Sequence, residues 1–189
     1  MSLLLAGLVI FLGVHSISLV NRGWRDAMVA RLGAGPWKGL YSLASLVGFI
    51  LLVQGYAATR ASPVILYSPP DFLHMLMLVV MLPVFPLLFA VYLPGHIRVR
   101  AKHPMLLATK LWATGHLLVN GTLADVLLFG SLLAWAVALR ISLKRQGQVA
   151  PRPPAHATRN DLMATVLGLA TYGAFLGGAH QWLVGVSIL

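Results

Sequence analysis

The sequence predicts an all-α fold: a polytopic integral membrane helical bundle of six transmembrane helices, with both termini outside. Three observations predict it. The 189 residues are 59% hydrophobic and only 10% charged, with a mean hydropathy of +0.85, whereas soluble domains carry about 25% charged residues. The apolar runs are long enough to cross about 30 Å of hydrocarbon as helices, and the roughly ten-residue alternating segments of a membrane β-barrel are missing. The basic residues alternate between successive loops.

The first span runs from Ser2 to Val20. No basic stretch precedes it, so it reads as a membrane span rather than a cleaved signal peptide. The basic, partly amphipathic segment from Asn21 to Pro36 follows, and Trp24 and Trp37 are placed to anchor it at the interface. The second span covers Trp37 to Ala57. The third covers Phe72 to Leu93 and holds Pro83 and Pro86, which predict a kink because proline removes a backbone donor. The fourth starts at His103-Pro104 and ends near Gly121; Pro104 suits a first helical turn, where its missing N–H costs nothing. The fifth runs from Leu123 to Leu143 and the sixth from Asp161 to Val184. Between them PRPPAHATRN, 151–160, reads as a flexible polar connection with a solvated His156. Asp71, Asp125 and Asp161, near span ends, read as helix caps. Residues 1–189 form a single domain without internal repeats.

Charge tests this map. Arg22, Arg25, Arg31 and Lys38 follow the first span, and only Arg60 follows the second. Arg98, Arg100 and Lys102 follow the third; no Lys or Arg follows the fourth; Lys144, Arg145, Arg152 and Arg159 follow the fifth. Odd-numbered loops are therefore cytoplasmic. The net charge of +10 has its explanation in topology and in contact with anionic membrane lipid; nucleic acid is not an expected partner. The absence of cysteine excludes disulfides, thiolate ligation, cysteine nucleophiles and covalent haem attachment. No nucleophile triad, phosphate loop, carboxylate pair or zinc-hydrolase motif appears.

Polar groups inside spans are the functional candidates. These are His15 in GVHSIS, His74 in DFLHML, Lys110, His116 and Asn120 in the fourth span, and His180 in GGAHQW. Four spans thus each supply a histidine. Neutral imidazole tolerates a low dielectric better than a charge does, and it ligates haem iron. Haem b between helices is one reading; interhelical hydrogen bonding by the same histidines is the other. Helical periodicity puts Thr109, Trp112, His116 and Asn120 on one face of the fourth span, and His103 and Lys110 on another. Lys110 is placed to snorkel toward the cytoplasmic surface. Gly173 and Gly177 form a GxxxG one turn before His180, suited to close approach of a helix or a flat macrocycle.

KHPMLLATKLWATGHLLVNG, followed by ADVLLFGSLLAWAVALRISLKR, resembles the NnrU family of bacterial membrane proteins, as do GVHSIS and AHQWLVGV. The resemblance covers nearly the whole chain. It implies a multi-pass protein of the bacterial inner (plasma) membrane, associated with denitrification and nitric-oxide or nitrite metabolism. The family is similar to zeta-carotene isomerase, which binds b-type haem through histidines and isomerises a cis double bond. Carried over by motif, the implied ligands of haem iron are His15 and His116, with His103 matching the His-Pro histidine. Depth along the spans favours His180 or His74 as the partner of His116, so the pairing stays open. Lys102 stands where the family commonly has arginine, and Thr122 where an acid is frequent.

The expectation is therefore a haem b protein whose iron is held by His116 and one of His15, His180 or His74. As an enzyme it would be a haem-dependent isomerase acting on an apolar small molecule such as a carotene, gated by the redox state of iron. The alternatives are a haem sensor or accessory protein of nitrogen-oxide metabolism, and a small anion transporter using Lys110.

Overall fold

Helices follow the apolar runs, and they stop where proline, glycine or asparagine interrupts the backbone. The computed structural model describes residues 1–146 and 152–188. Helix α1 spans Ser2–Val20, α2 Arg22–Leu32 and α3 Ala34–Thr59. Then come α4 (Phe72–Met81), α5 (Val84–Tyr92), α6 (His96–Ala101), α7 (Pro104–Val119) and α8 (Leu123–Arg145). The last run is α9 (Ala157–Ala174), a π-turn over Phe175–Ala179, and α10 (His180–Val184). Among the described residues, five helical runs are long and apolar enough to cross a membrane: α1, α3, Phe72–Tyr92, α8 and Ala157–Val184. The expected fourth span, α7, is shorter, with 16 residues, about 24 Å of rise.

The breaks have local causes. Asn21 leaves helical geometry (φ −147°) and its side chain accepts from Trp24 N, so one residue ends α1 and caps α2. Gly33, at φ 86°, separates α2 from α3. At Pro83 the expected break falls in the hydrogen-bond ladder, while Leu82 and Pro83 keep right-handed helical geometry. Val79 has no fourth-residue N–H to bind because that residue is proline, and Leu82 N turns to Val79 O instead, at 3.3 Å. The Leu78 carbonyl, left without Leu82, accepts from Tyr172 Oη at 2.8 Å. The polar 151–160 segment is corrected in part: Ala157–Asn160 already belong to α9, and Ala157 and Asn160 are buried. Residue 151 lies outside the described residues. A Cβ on Gly173 or Gly177 would meet nothing within 4 Å, so this GxxxG packs against no described part of the chain.

The chain gathers into two compact units, Met1–Pro69 with Asn120–Ser142, and Pro70–Val119 with Leu143–Leu189. In the first, α1 and α3 lie antiparallel with glycine at each crossing. A Cβ on Gly7 would come within 2.5 Å of Leu52 N, and one on Gly48 within 2.8 Å of Phe11 N; one on Gly55 would strike Leu4 N. Small residues give backbones this approach in lipid, where packing rather than the hydrophobic effect joins helices. Leu4, Leu8, Leu52 and Ala124 form the adjoining core. The loop after α3 is tied down by Leu66 N and Tyr67 N to Gly121 O, and by Leu123 N to Val64 O. In the second unit, Gly168 of α9 meets Pro86 of α5, and Gly115 of α7 meets Met77 and Met81 of α4. Val84, Leu87 and Ala108 form that core.

Gly55→Ala is expected to destabilise the first unit by about 1–3 kcal/mol, the range for overpacking, in unfolding of the detergent-solubilised protein. Gly13→Ala, where a Cβ meets nothing within 4 Å, is the control; equal stabilities would refute the crossing's role.

Candidate functional site

His15 sits where the glycine seam of α1 and α3 ends. The crossings step Leu4 with Gly55, Gly7 with Leu52 and Phe11 with Gly48; continuing that register sets His15 opposite Ala44. Its Nδ1 donates to the Phe11 carbonyl at 2.7 Å. A carbonyl only accepts, so a neutral His15 carries its proton on Nδ1 and its lone pair on Nε2. Aromatic rings surround it: Phe11 with its centroid at 4.2 Å, Tyr41 at 5.4 Å and Trp135 at 6.0 Å.

His116 repeats the arrangement in the second unit. Its Nδ1 donates to the Trp112 carbonyl at 2.9 Å, and the Trp112 ring lies 4.8 Å away. Trp112 packs on the core of Val84, Leu87 and Ala108. His74, half-buried on α4, shares a helical face with Met81, which meets Gly115 beside His116. His180 follows the π-turn, and its Nδ1 donates to Val186 O at 2.7 Å, with Phe175 at 6.4 Å. Its acceptor therefore lies beyond the helix end, unlike those of His15 and His116.

The remaining candidates fall elsewhere. Asn120 stands beyond the end of α7 and in the first unit, so the expected face of Thr109, Trp112, His116 and Asn120 stops at His116. The Asn120 carbonyl accepts from Tyr67 Oη at 2.8 Å. His103 precedes α7, and its carbonyl accepts from Leu107 N. Lys110 is half-buried in mid-helix. Among the described residues, no three His, Cys, Asp or Glu gather to hold a metal ion.

Two carboxylates prove to be structural. Asp125, 4% exposed, accepts from Tyr56 Oη at 2.6 Å, from Thr122 Oγ1 at 2.6 Å and from Thr122 N at 2.9 Å, while Asp125 N donates back to Thr122 Oγ1. This reciprocal cap of α8 matches the expected role. Asp161 caps a different helix from the one it sits on. It accepts from His96 N, His96 Nδ1 and Ile97 N at 2.9–3.0 Å, and so closes the start of α6. His96, Tyr56 and Trp135 belong to no catalytic or ligand motif in the sequence. Only the Thr-x-x-Asp spacing gave a local signal for any of these contacts.

Long apolar helices, several of them bearing histidines braced by their own backbone, define a helical membrane protein. The chain belongs to the NnrU family: that family's model, described as NnrU protein, matches residues 3–188. Neither a curated protein nor a solved structure matches the chain.

Asp125→Ala leaves the Tyr56 hydroxyl and the Thr122 N–H without their acceptor. It should lower stability by about 1–3 kcal/mol or more, seen in detergent unfolding, whereas Asp26→Ala at the surface should change it little. Similar curves for the two variants would contradict the assignment.

Proposed function

We propose that this NnrU protein is a multi-pass membrane protein that binds b-type haem through histidine imidazole, with His116 of the second unit and His15 of the first as the candidate ligands. One observation carries the reading: each donates Nδ1–H to the carbonyl four residues before it, Trp112 and Phe11 respectively. Metal-ligating histidines usually give their other ring nitrogen to such an acceptor, which fixes the tautomer and raises ligand basicity. The donor set suits haem. The macrocycle supplies four nitrogens itself and asks the protein for one or two imidazoles, so no cluster of three protein ligands is needed. Flat aromatic walls stand beside both histidines. When bound, haem supplies an iron that moves between two oxidation states. This chain's own part is to brace each imidazole through Nδ1 and to keep its surroundings apolar.

The reading includes six spans with both termini outside. The alternation of basic loops supports it. The 24 Å of α7 is within what bilayer thinning and flanking polar residues accommodate.

The absorption spectrum of the detergent-purified protein, expressed with haem precursor, decides the cofactor. A Soret band with sharp reduced α and β bands is expected; a colourless protein would end the reading. His116→Ala and His15→Ala should each remove or reshape that spectrum. If His15→Ala leaves it untouched, the second ligand passes to His74 or His180. Carotenoid conversion and nitric-oxide binding by the reduced protein then separate an isomerase from a role in nitrogen-oxide metabolism.

The chain lacks cysteine, so single cysteines report topology directly. With a membrane-impermeant maleimide on intact cells, Ser68→Cys should label, and Lys144→Cys only after lysis. The opposite pattern would invert the orientation.

A further inference from the structure

The wall around His15 holds an unsatisfied donor. Trp135 Nε1 is buried, and no acceptor among the described residues reaches it. Its indole stands edge-on to the His15 imidazole, with centroids 6.0 Å apart and planes at 89°. Buried tryptophan N–H groups usually find a partner, and leaving one without costs about 1–3 kcal/mol. Phenylalanine would fill the same wall at no such cost. An orphaned N–H beside a histidine whose Nδ1 is already engaged points to an acceptor that arrives with the group His15 holds.

We propose that Trp135 Nε1–H donates a hydrogen bond to a propionate carboxylate of a haem whose iron His15 ligates. This rests on the haem reading above. A b-type haem is a flat apolar ring with its two carboxylates at one edge, so those oxygens are the peripheral acceptors it brings. A carboxylate entering an apolar region needs donors already in place, and a bond to a charged acceptor is stronger than a neutral one. The cationic environment agrees. Tyr41, 5.4 Å from His15, lies on α3 one turn after Lys38, on the same face. Lys38 is exposed near the start of that helix, one turn from Tyr41. Trp135 is a positioning residue in this assignment. It orients the macrocycle and leaves iron to the histidines.

The test compares wild type and Trp135→Phe loaded with haem or with haem dimethyl ester, whose carboxylates are masked. Haem loss to excess apomyoglobin is timed for each. Trp135→Phe should lose haem about tenfold faster than wild type, the scale of one charge-assisted hydrogen bond, and should show a smaller increase with the ester, whose carbonyl accepts without charge. Equal rates with haem would overturn the assignment. A variant that releases both pigments faster to the same degree would also overturn it, because that reports packing alone. A wild-type protein without a Soret band would fail the haem reading itself, before any variant is made. Ultraviolet resonance Raman of wild type keeps the assignment testable if Trp135→Phe does not fold. The tryptophan band sensitive to N–H hydrogen bonding should shift on loading haem and shift less on loading the ester; no shift with haem would refute the bond.

Discussion

An apolar solvent leaves a backbone carbonyl nowhere to turn except to another part of the chain, and each unpaired group there costs several kcal/mol. The rest of this structure depends on pairing the backbone groups that helix breaks set free, within the spans and in the polar loop after Tyr92 alike. The gap at Pro83 is closed by Tyr172 on the Leu78 carbonyl. The end of α5 is met by Arg98, whose guanidinium donates to Val91 O at 3.0 Å. The Pro94 carbonyl takes Asn160 Nδ2 at 2.8 Å, and the opening amides of α6 take Asp161. Within the second unit these bonds tie the Leu78 carbonyl of α4 to Tyr172 of α9, and the start of α6 to Asp161 of α9.

The same demand governs the histidines. An imidazole in such surroundings needs its N–H paired, and in a helix the nearest acceptor is the carbonyl one turn back. His15 and His116 both take that solution. A histidine bonded this way is satisfied on one nitrogen without help from a neighbouring helix. The glycine seam then determines where the His15 ring is held. Gly55, Gly7 and Gly48 bring the α1 and α3 backbones into contact, and the contact ends where the opposing residue is Ala44 and bulkier Tyr41 stands alongside His15.

Much of this was legible in the sequence because hydropathy and proline are local signals. The run Ser2 to Val20 is α1 to the residue, and Pro104 opens α7 as the first-turn preference requires. His15 and His116 stand out as polar groups in apolar runs. What was not legible depends on partners far apart in the chain. Asp161 near the start of a span looks like the cap of that span, yet it serves α6, 64 and 65 residues earlier. Tyr56 and Asp125, 69 apart, carry no local mark of their bond. Asn120 fits the face of His116 by periodicity, but α7 ends one residue before it, and periodicity alone does not place an end. The π-turn before His180 likewise depends on Gly178, whose φ of 126° no neighbouring residue announces.

Buried polar groups in the first unit differ in how fully the described residues satisfy them. Asp125 is buried with donors supplied by Tyr56 and Thr122, so its surroundings were complete when the chain folded, and a structural role accounts for it fully. Trp135 Nε1 is buried beside His15 without an acceptor among the described residues. A buried donor left in this way costs about 1–3 kcal/mol. The proposed propionate bond rests on that pairing: an unanswered indole N–H edge-on to an imidazole already braced on Nδ1.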